Sequence, residues 1–203
     1  FIISYRKSIY TYKMNISSWV KALTFVVLLF SYSTVVTGQT KVNDVRDSER
    51  LWLDSEITHN GDYQWKMIKA GDVADPGEKV SLSDYPTANW LPAIVPGTVL
   101  NSLVHNRKYP EPYYGINNKI ESKLIPDISE TGRDFYTYWF RTDFTVPQSF
   151  KGKTVWLQLD GINYRAEVWV NGNLLSTMNG MFIQDYIDVT DFVKVGEKNG
   201  LAI

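Results

Sequence analysis

The chain has 203 residues, 44 % hydrophobic and 21 % charged, which excludes a disordered or fibrous polypeptide. Lys and Arg number 21 against 22 Asp and Glu, a net charge of −1, so no basic excess is available to neutralise nucleic acid. Cysteine is absent and the two histidines, His59 and His105, stand far apart, which excludes a disulfide scaffold, a thiolate zinc site and a cysteine nucleophile. No metal and no cofactor is expected. Aromatic residues are abundant at 14 %, with 7 Trp and 13 Tyr, a bias that suits strands.

The first methionine is Met14. From it a short polar start carrying Lys21 leads into the apolar stretch Ala22–Val36 and then Thr37-Gly38-Gln39. A positive start, an apolar centre and a small residue before the cut describe a secretory signal peptide over 14–38, cleaved after Gly38. The apolar stretch is 15 residues long. A membrane span needs about 20, so no stable membrane anchor is expected and the product is read as secreted or periplasmic. Residues 1–13 read as an upstream extension, and 39–203 as the folded domain.

Beyond Gln39 the signals have period two. Tyr63, Trp65 and Met67 alternate along a first strand. Thr98 to Asn106 is the one helical stretch, with Thr98 as its cap and Val99 and Leu103 inward. A long connection, Tyr109 to Asp134, follows with three prolines and little periodicity. Tyr136, Tyr138 and Phe140 alternate in the next strand, which runs on through Phe144 to Val146. Thr154–Leu159 and Ala166–Val170 are rich in β-branched and aromatic residues. Asp160-Gly161 is read as the turn between them. Asn171-Gly172 marks a hairpin returning through Asn173–Thr177, because both turn positions need positive φ. Asn60-Gly61, Pro76-Gly77, Lys151-Gly152, Asn179-Gly180 and Gly196 are further turn markers, and Thr190–Val193 a single helical turn. The spacing predicts an all-β sandwich or jelly roll with one short helix. The final apolar run, Leu201-Ala202-Ile203, reads as a strand cut short, with continuation expected.

Six segments in order carry a resemblance. They are Val95-Pro96-Gly97-Thr98-Val99, the Tyr109–Asn117 stretch (YPEPYYGIN), Tyr138-Trp139-Phe140-Arg141 with Phe144 and Pro147, Leu159–Tyr164 (LDGINY), Ala166–Gly172 (AEVWVNG), and Asp188-Val189-Thr190 with Gly196 to Leu201. Together they resemble the N-terminal sugar-binding domain of glycoside hydrolase family 2, most closely its β-mannosidase and exo-β-glucosaminidase branch. The resemblance implies a galactose-binding-domain-like jelly roll opening a larger retaining enzyme. An immunoglobulin-like domain and a (β/α)8 barrel with two catalytic glutamates would follow. Retention needs two carboxylates about 5–5.5 Å apart. The family sets its acid/base glutamate after an asparagine, and no Asn-Glu pair occurs in this chain. A barrel of about 250 residues does not fit here either. No catalytic residue is therefore assigned.

The resemblance also implies that a loop of this domain reaches the terminal sugar. Tyr113, Tyr114, Asn117 and Asn118 have the chemistry for it, since aromatic faces stack on pyranoses and amides pair with vicinal hydroxyls. The plainer alternative packs those tyrosines on the sandwich and uses the asparagines to hold turns. Asp160, Asn163 and Arg165 read first as turn and salt-bridge residues. Glu167 points away from the face of Ala166 and Val168. Trp52, Trp65, Trp90, Trp139, Trp156 and Trp169 read mainly as core. Asp127 with Glu130 and Asp185 with Asp188 are close only in sequence, and Ser102 near His105 lacks a nucleophile elbow. The expected partners are a terminal β-linked oligosaccharide or polysaccharide and the immunoglobulin-like and barrel domains of the same protein. A free-standing carbohydrate-binding module and a structural scaffold are the alternatives.

Overall fold

Ten short strands form two antiparallel sheets in a computed structural model that describes residues 4–8, 50–55 and 64–203. The signal-peptide segment, Tyr63 and the Asn60-Gly61 marker lie outside the described residues. In chain order the strands are β1 (Ser4–Ser8), β2 (Arg50–Trp52), β3 (Lys66–Lys69), β4 (Leu91–Pro92), β5 (Tyr138–Thr145), β6 (Trp156–Gly161), β7 (Tyr164–Val170), β8 (Asn173–Gly180), β9 (Asp185–Asp188) and β10 (Lys198–Ala202). The larger sheet runs β4-β3-β5-β10-β7-β8 and the smaller β2-β1-β6-β9. The expected all-β architecture is therefore present.

Alternation along the strands explains the layers. On β5, Phe140 and Phe144 point to one side, where Leu157 and Leu159 of β6, Val168 and Val170 of β7, and Leu201 of β10 meet them in one core. Burying each such side chain stabilises by about 1.5–3 kcal/mol. The opposite face of the large sheet is also covered. Val80, Trp90 and Ala202 are buried there, with Trp139, Trp169 and Tyr85 packed around them. The helix α1 (Gly77–Val80) and the chain after it form that cover. Trp65 and Trp90 are buried and Trp139 and Trp169 half-buried, which fits their reading as packing residues.

Three local readings match the structure. Helix α2 (Val99–His105) is capped by Thr98, whose Oγ1 accepts the Asn101 N–H at 2.9 Å. Asn171 and Gly172 turn the β7–β8 hairpin with φ of 49° and 87°. The turn near Thr190 closes through Val193 N–H donating to Val189 O. That hairpin is also tied to β10. Asn199 is fully buried, its Oδ1 accepts the Lys194 N–H, and its Nδ2 donates to the Lys194 and Glu197 carbonyls. Asn171 Nδ2 donates to Asn199 Oδ1 at 2.7 Å. Asn199→Ala strands several of these groups and is expected to cost about 2 kcal/mol in a urea melt; an unchanged midpoint would contradict the network.

Other readings are corrected. Asp160-Gly161 is not the turn: both residues lie inside β6, which pairs with β1 through Gly161 opposite Ser4. Sheet pairing overrides the local turn preference, and the chain reverses at Ile162-Asn163 instead. Pro76-Gly77 opens a helix rather than a bare turn, because the Pro76 carbonyl accepts the Lys79 and Val80 N–H groups. The described residues hold three short α-helices, not one, the third being α3 (Ile128–Thr131), besides single 3-10 turns. A four-residue helix is too short to leave a 3.6-residue period. Ser4–Ser8 forms β1 on the edge of β6 that β9 does not occupy.

Candidate functional site

The long connection is anchored at both ends and open in its middle. Tyr109 and Tyr136 pack on the main core, and the Tyr136 hydroxyl donates to Pro126 O. Burial, with Tyr109 and Tyr138 close by, pushes the Tyr136 phenol up to about 12. Tyr109 and Tyr138 are also raised, by burial first. Asp127 caps α3 by accepting from the Ser129 hydroxyl and N–H, which holds its carboxyl below the ordinary range. Glu130 pairs with Lys123. The Asp127–Glu130 couple is thus committed to a helix cap and an ion pair.

The phenol carries a pH consequence. Its folded-state value lies above the unfolded value near 10, so the unfolded chain releases this proton first. Stability from Tyr136 is complete below pH 10 and is lost as pH rises from about 10 to about 12. Unfolding midpoints across that window should fall more steeply for the native chain than for Tyr136→Phe; parallel slopes would contradict the assignment.

Between the anchors, Tyr113 is 92 % exposed and Tyr114 76 % exposed. These tyrosines therefore do not pack on the sandwich. Asn117 is held differently: its Nδ2 donates to Glu111 O at 2.8 Å and its N–H to Tyr114 O at 3.2 Å. It holds the turn that presents the two rings. Asn118 is exposed beside it. The structure thus gathers all four sequence-derived candidates on one turn, with Gly115 at φ 59° in the middle. Ile116, Ile120, Leu124 and Ile128 are also exposed along the loop.

A cleft of about 360 Å³ opens where the loop rejoins the sheet. Asp134, Tyr136 and Tyr138 form one wall, and Asn163, Arg165 and Glu167 the other. Glu167 is on the outward face of β7, as its alternation required, and accepts from Trp169 Nε1 at 3.2 Å. Arg165 stands opposite Asn179 on β8. Beyond Asn179, Met181, Phe182 and Ile183 are exposed, Phe182 at 86 %. The sequence reading gave these residues no role; the available signal was an apolar run, Met181-Phe182-Ile183, directly after a turn marker.

The other candidates take structural positions. Ser102 is buried, and its Oγ accepts the Ile94 N–H at 3.0 Å, while His105 is exposed. Asp188 caps the Thr190 turn and Asp185 accepts from Ser176. Among the described residues, no group of three His, Cys, Asp or Glu side chains could hold a metal ion. The exposed groups offer aromatic faces, amides and one guanidinium, which are binding groups for polyhydroxylated ligands.

The fold is a two-sheet antiparallel sandwich with exposed loops at its rim, and residues 58–203 match the family model "Glycosyl hydrolase 2 galactose-binding domain-like". The chain belongs to glycoside hydrolase family 2. It is 37 % identical over 145 residues to a mannosylglycoprotein endo-β-mannosidase of Lilium longiflorum, covering 70 % of this chain and 15 % of that one. It is 33 % identical over 128 residues to an exo-β-D-glucosaminidase of Streptomyces avermitilis, covering 61 % of this chain and 13 % of that one. Among solved structures, the exo-chitosanase CsxA of Amycolatopsis orientalis superposes with a TM-score of 0.56 at 29 % identity, over 69 % of this chain and 15 % of that one. The chain thus spans about one seventh of the length of these relatives.

Proposed function

We propose that this chain is the non-catalytic N-terminal domain of an exported retaining β-glycosidase of the β-mannosidase or exo-β-glucosaminidase type. It carries the turn 113–118 to the terminal sugar of a β-linked oligosaccharide or polysaccharide. The catalytic carboxylates belong to the barrel of the longer protein, and the leader 14–38 directs the product to the periplasm or the medium. The observation that carries this reading is the pair Tyr113 and Tyr114, held outward at 92 % and 76 % exposure by the Asn117 amide. Rings displayed in that way, on a loop pinned at both ends, are arranged to meet something outside this domain.

The test is kinetic and uses the native product. Tyr113→Ala and Tyr114→Ala should each lower kcat/KM about tenfold on aryl β-mannosides or β-glucosaminides, about 1.4 kcal/mol of transition-state binding. Asn118→Ala should raise KM or lower kcat as well. Unchanged kinetics in all three would return the loop to a structural role. Substrates with internal and terminal linkages belong in the assay, because the relatives named above include both an endo- and an exo-acting enzyme.

A further inference from the structure

β8 is an edge of the larger sheet, eight residues long and paired within that sheet on one side only, with β7. Ladder parity shows which of its peptide groups are left over. Asn171 N–H donates to Gly200 O, so Asn171, Trp169, Glu167 and Arg165 turn their peptide groups toward β10, and Val168, Ala166 and Tyr164 turn theirs toward β8. The partners of the latter three are Ser176, Met178 and Gly180. The N–H and C=O groups of Thr177 and Asn179 therefore point away from β7, along the free edge. A groove of about 230 Å³ lies there, lined by residues 176–180 on one side and by Ile183 and Asp185 on the other.

This edge lacks the usual guards. Sheet edges are ordinarily blunted by charge, by proline or by brevity. β4, the other edge of the larger sheet, is two residues long and includes Pro92. β9, an edge of the smaller sheet, begins and ends with Asp. β8 has neither proline nor a charged residue. Both of its ends are apolar and exposed, with Leu174 at one and Met181 and Phe182 just past the other.

From this we infer that β8 is a pairing edge for a second copy of this chain, joined antiparallel about a two-fold axis at Met178. An antiparallel edge is its own complement, because the same groups donate and accept on both copies. That axis sets Thr177 of each copy opposite the partner's Asn179, so all the outward peptide groups of this pair of residues are matched. Charges on the neighbouring strand select this register. Glu167 stands beside Thr177, and Arg165 beside Asn179. With the axis at Met178, each row across the joined sheets carries Arg165 at one end and Glu167 at the other. An axis at Thr177 would instead put Glu167 and the partner's Glu167 on one row. Leu174 also comes to the end where the partner exposes Met181 and Phe182, and covers part of that apolar surface. A strand of another protein could satisfy the same peptide groups, but a second copy brings the matching charges and apolar ends with it. The inference stands on the sheet edge and not on activity, so it survives if the glycosidase reading fails.

Sedimentation of the native product tests it. The product should run as a dimer at micromolar concentration. Thr177→Lys combined with Asn179→Lys sets like charges opposite one another and should leave a monomer. Thr177→Lys combined with Asn179→Glu sets opposite charges together in this register and should keep the dimer. Both side chains are exposed and neither change touches the ladder to β7, so both variants should keep the native circular dichroism. In the first variant the Thr177 and Asn179 amides should exchange about tenfold faster than in the dimer. A monomeric native product, a dimer that the two lysines leave intact, or loss of the dimer in both variants would each overturn the assignment. Slow exchange of those two amides in a monomer would show instead that another segment of the same polypeptide covers the edge.

Discussion

Arg141→Met is expected to destabilise the domain by about 3–5 kcal/mol, the usual consequence of removing one partner from a buried charged network. Arg141 lies in the middle of β5 and is only 3 % exposed. Its Nε donates to Val80 O at 3.0 Å, and its guanidinium donates to Leu82 O at 2.6 Å and Asp143 Oδ1 at 2.7 Å. Asp143 in turn accepts the Asp84 N–H, and Asp84 pairs with Lys198 of β10. One guanidinium therefore ties the α1 cover to the large sheet. Methionine fills much of the volume but leaves two carbonyls and a carboxylate without their donor. Arg141→Lys should recover only part of the loss, since a single ammonium cannot reproduce the planar fork. Chemical denaturation checks this through the midpoint at constant slope. A loss under 1 kcal/mol would mean that water replaces the guanidinium freely.

Gly200→Ala should cost at least about 3 kcal/mol or prevent folding. A Cβ at this position of β10 would sit 2.8 Å from both the carbonyl carbon and the oxygen of Leu82, and closer still to Ser81 O. These are backbone atoms of the same cover that Arg141 holds. They cannot rotate away as a flexible side chain would, so the cover must lift from the sheet. Lifting it exposes Val80 and Trp90. A thermal melt and near-ultraviolet circular dichroism from the tryptophans report both effects. Gly71→Ala is the control, because nothing lies within 4 Å of an added Cβ there. Equal melting temperatures for the two variants would remove the close approach from the account.

These two residues also mark what the sequence does not disclose. Asn171-Gly172 and Thr98 are legible because each acts through neighbours in the chain, by a φ requirement and by a cap. Arg141 looks like an exposed strand residue until Val80 and Leu82, some sixty residues earlier, fold over it. Gly200 looks like part of a turn, yet its need is the absence of a side chain beneath another segment. Asp160-Gly161 carries a turn signature, and the β1 pairing holds it extended. At the candidate site the residue types on the 113–118 turn were readable as sugar-compatible. Their orientation was not, because it depends on the Tyr109 and Tyr136 anchors and on the Asn117–Glu111 hydrogen bond. The family resemblance was legible because six segments keep their order, although each alone is weak.

We propose that this domain presents groups to a sugar while the bond-breaking carboxylates lie elsewhere in the protein. The most direct measurement is hydrolysis of chromogenic aryl β-mannosides and β-glucosaminides by the native product and by the purified 203-residue chain, side by side. Turnover by the native product alone is the predicted result. Hydrolysis by the 203-residue chain, abolished by a substitution within it, would place bond-breaking groups in this domain and overturn the proposal.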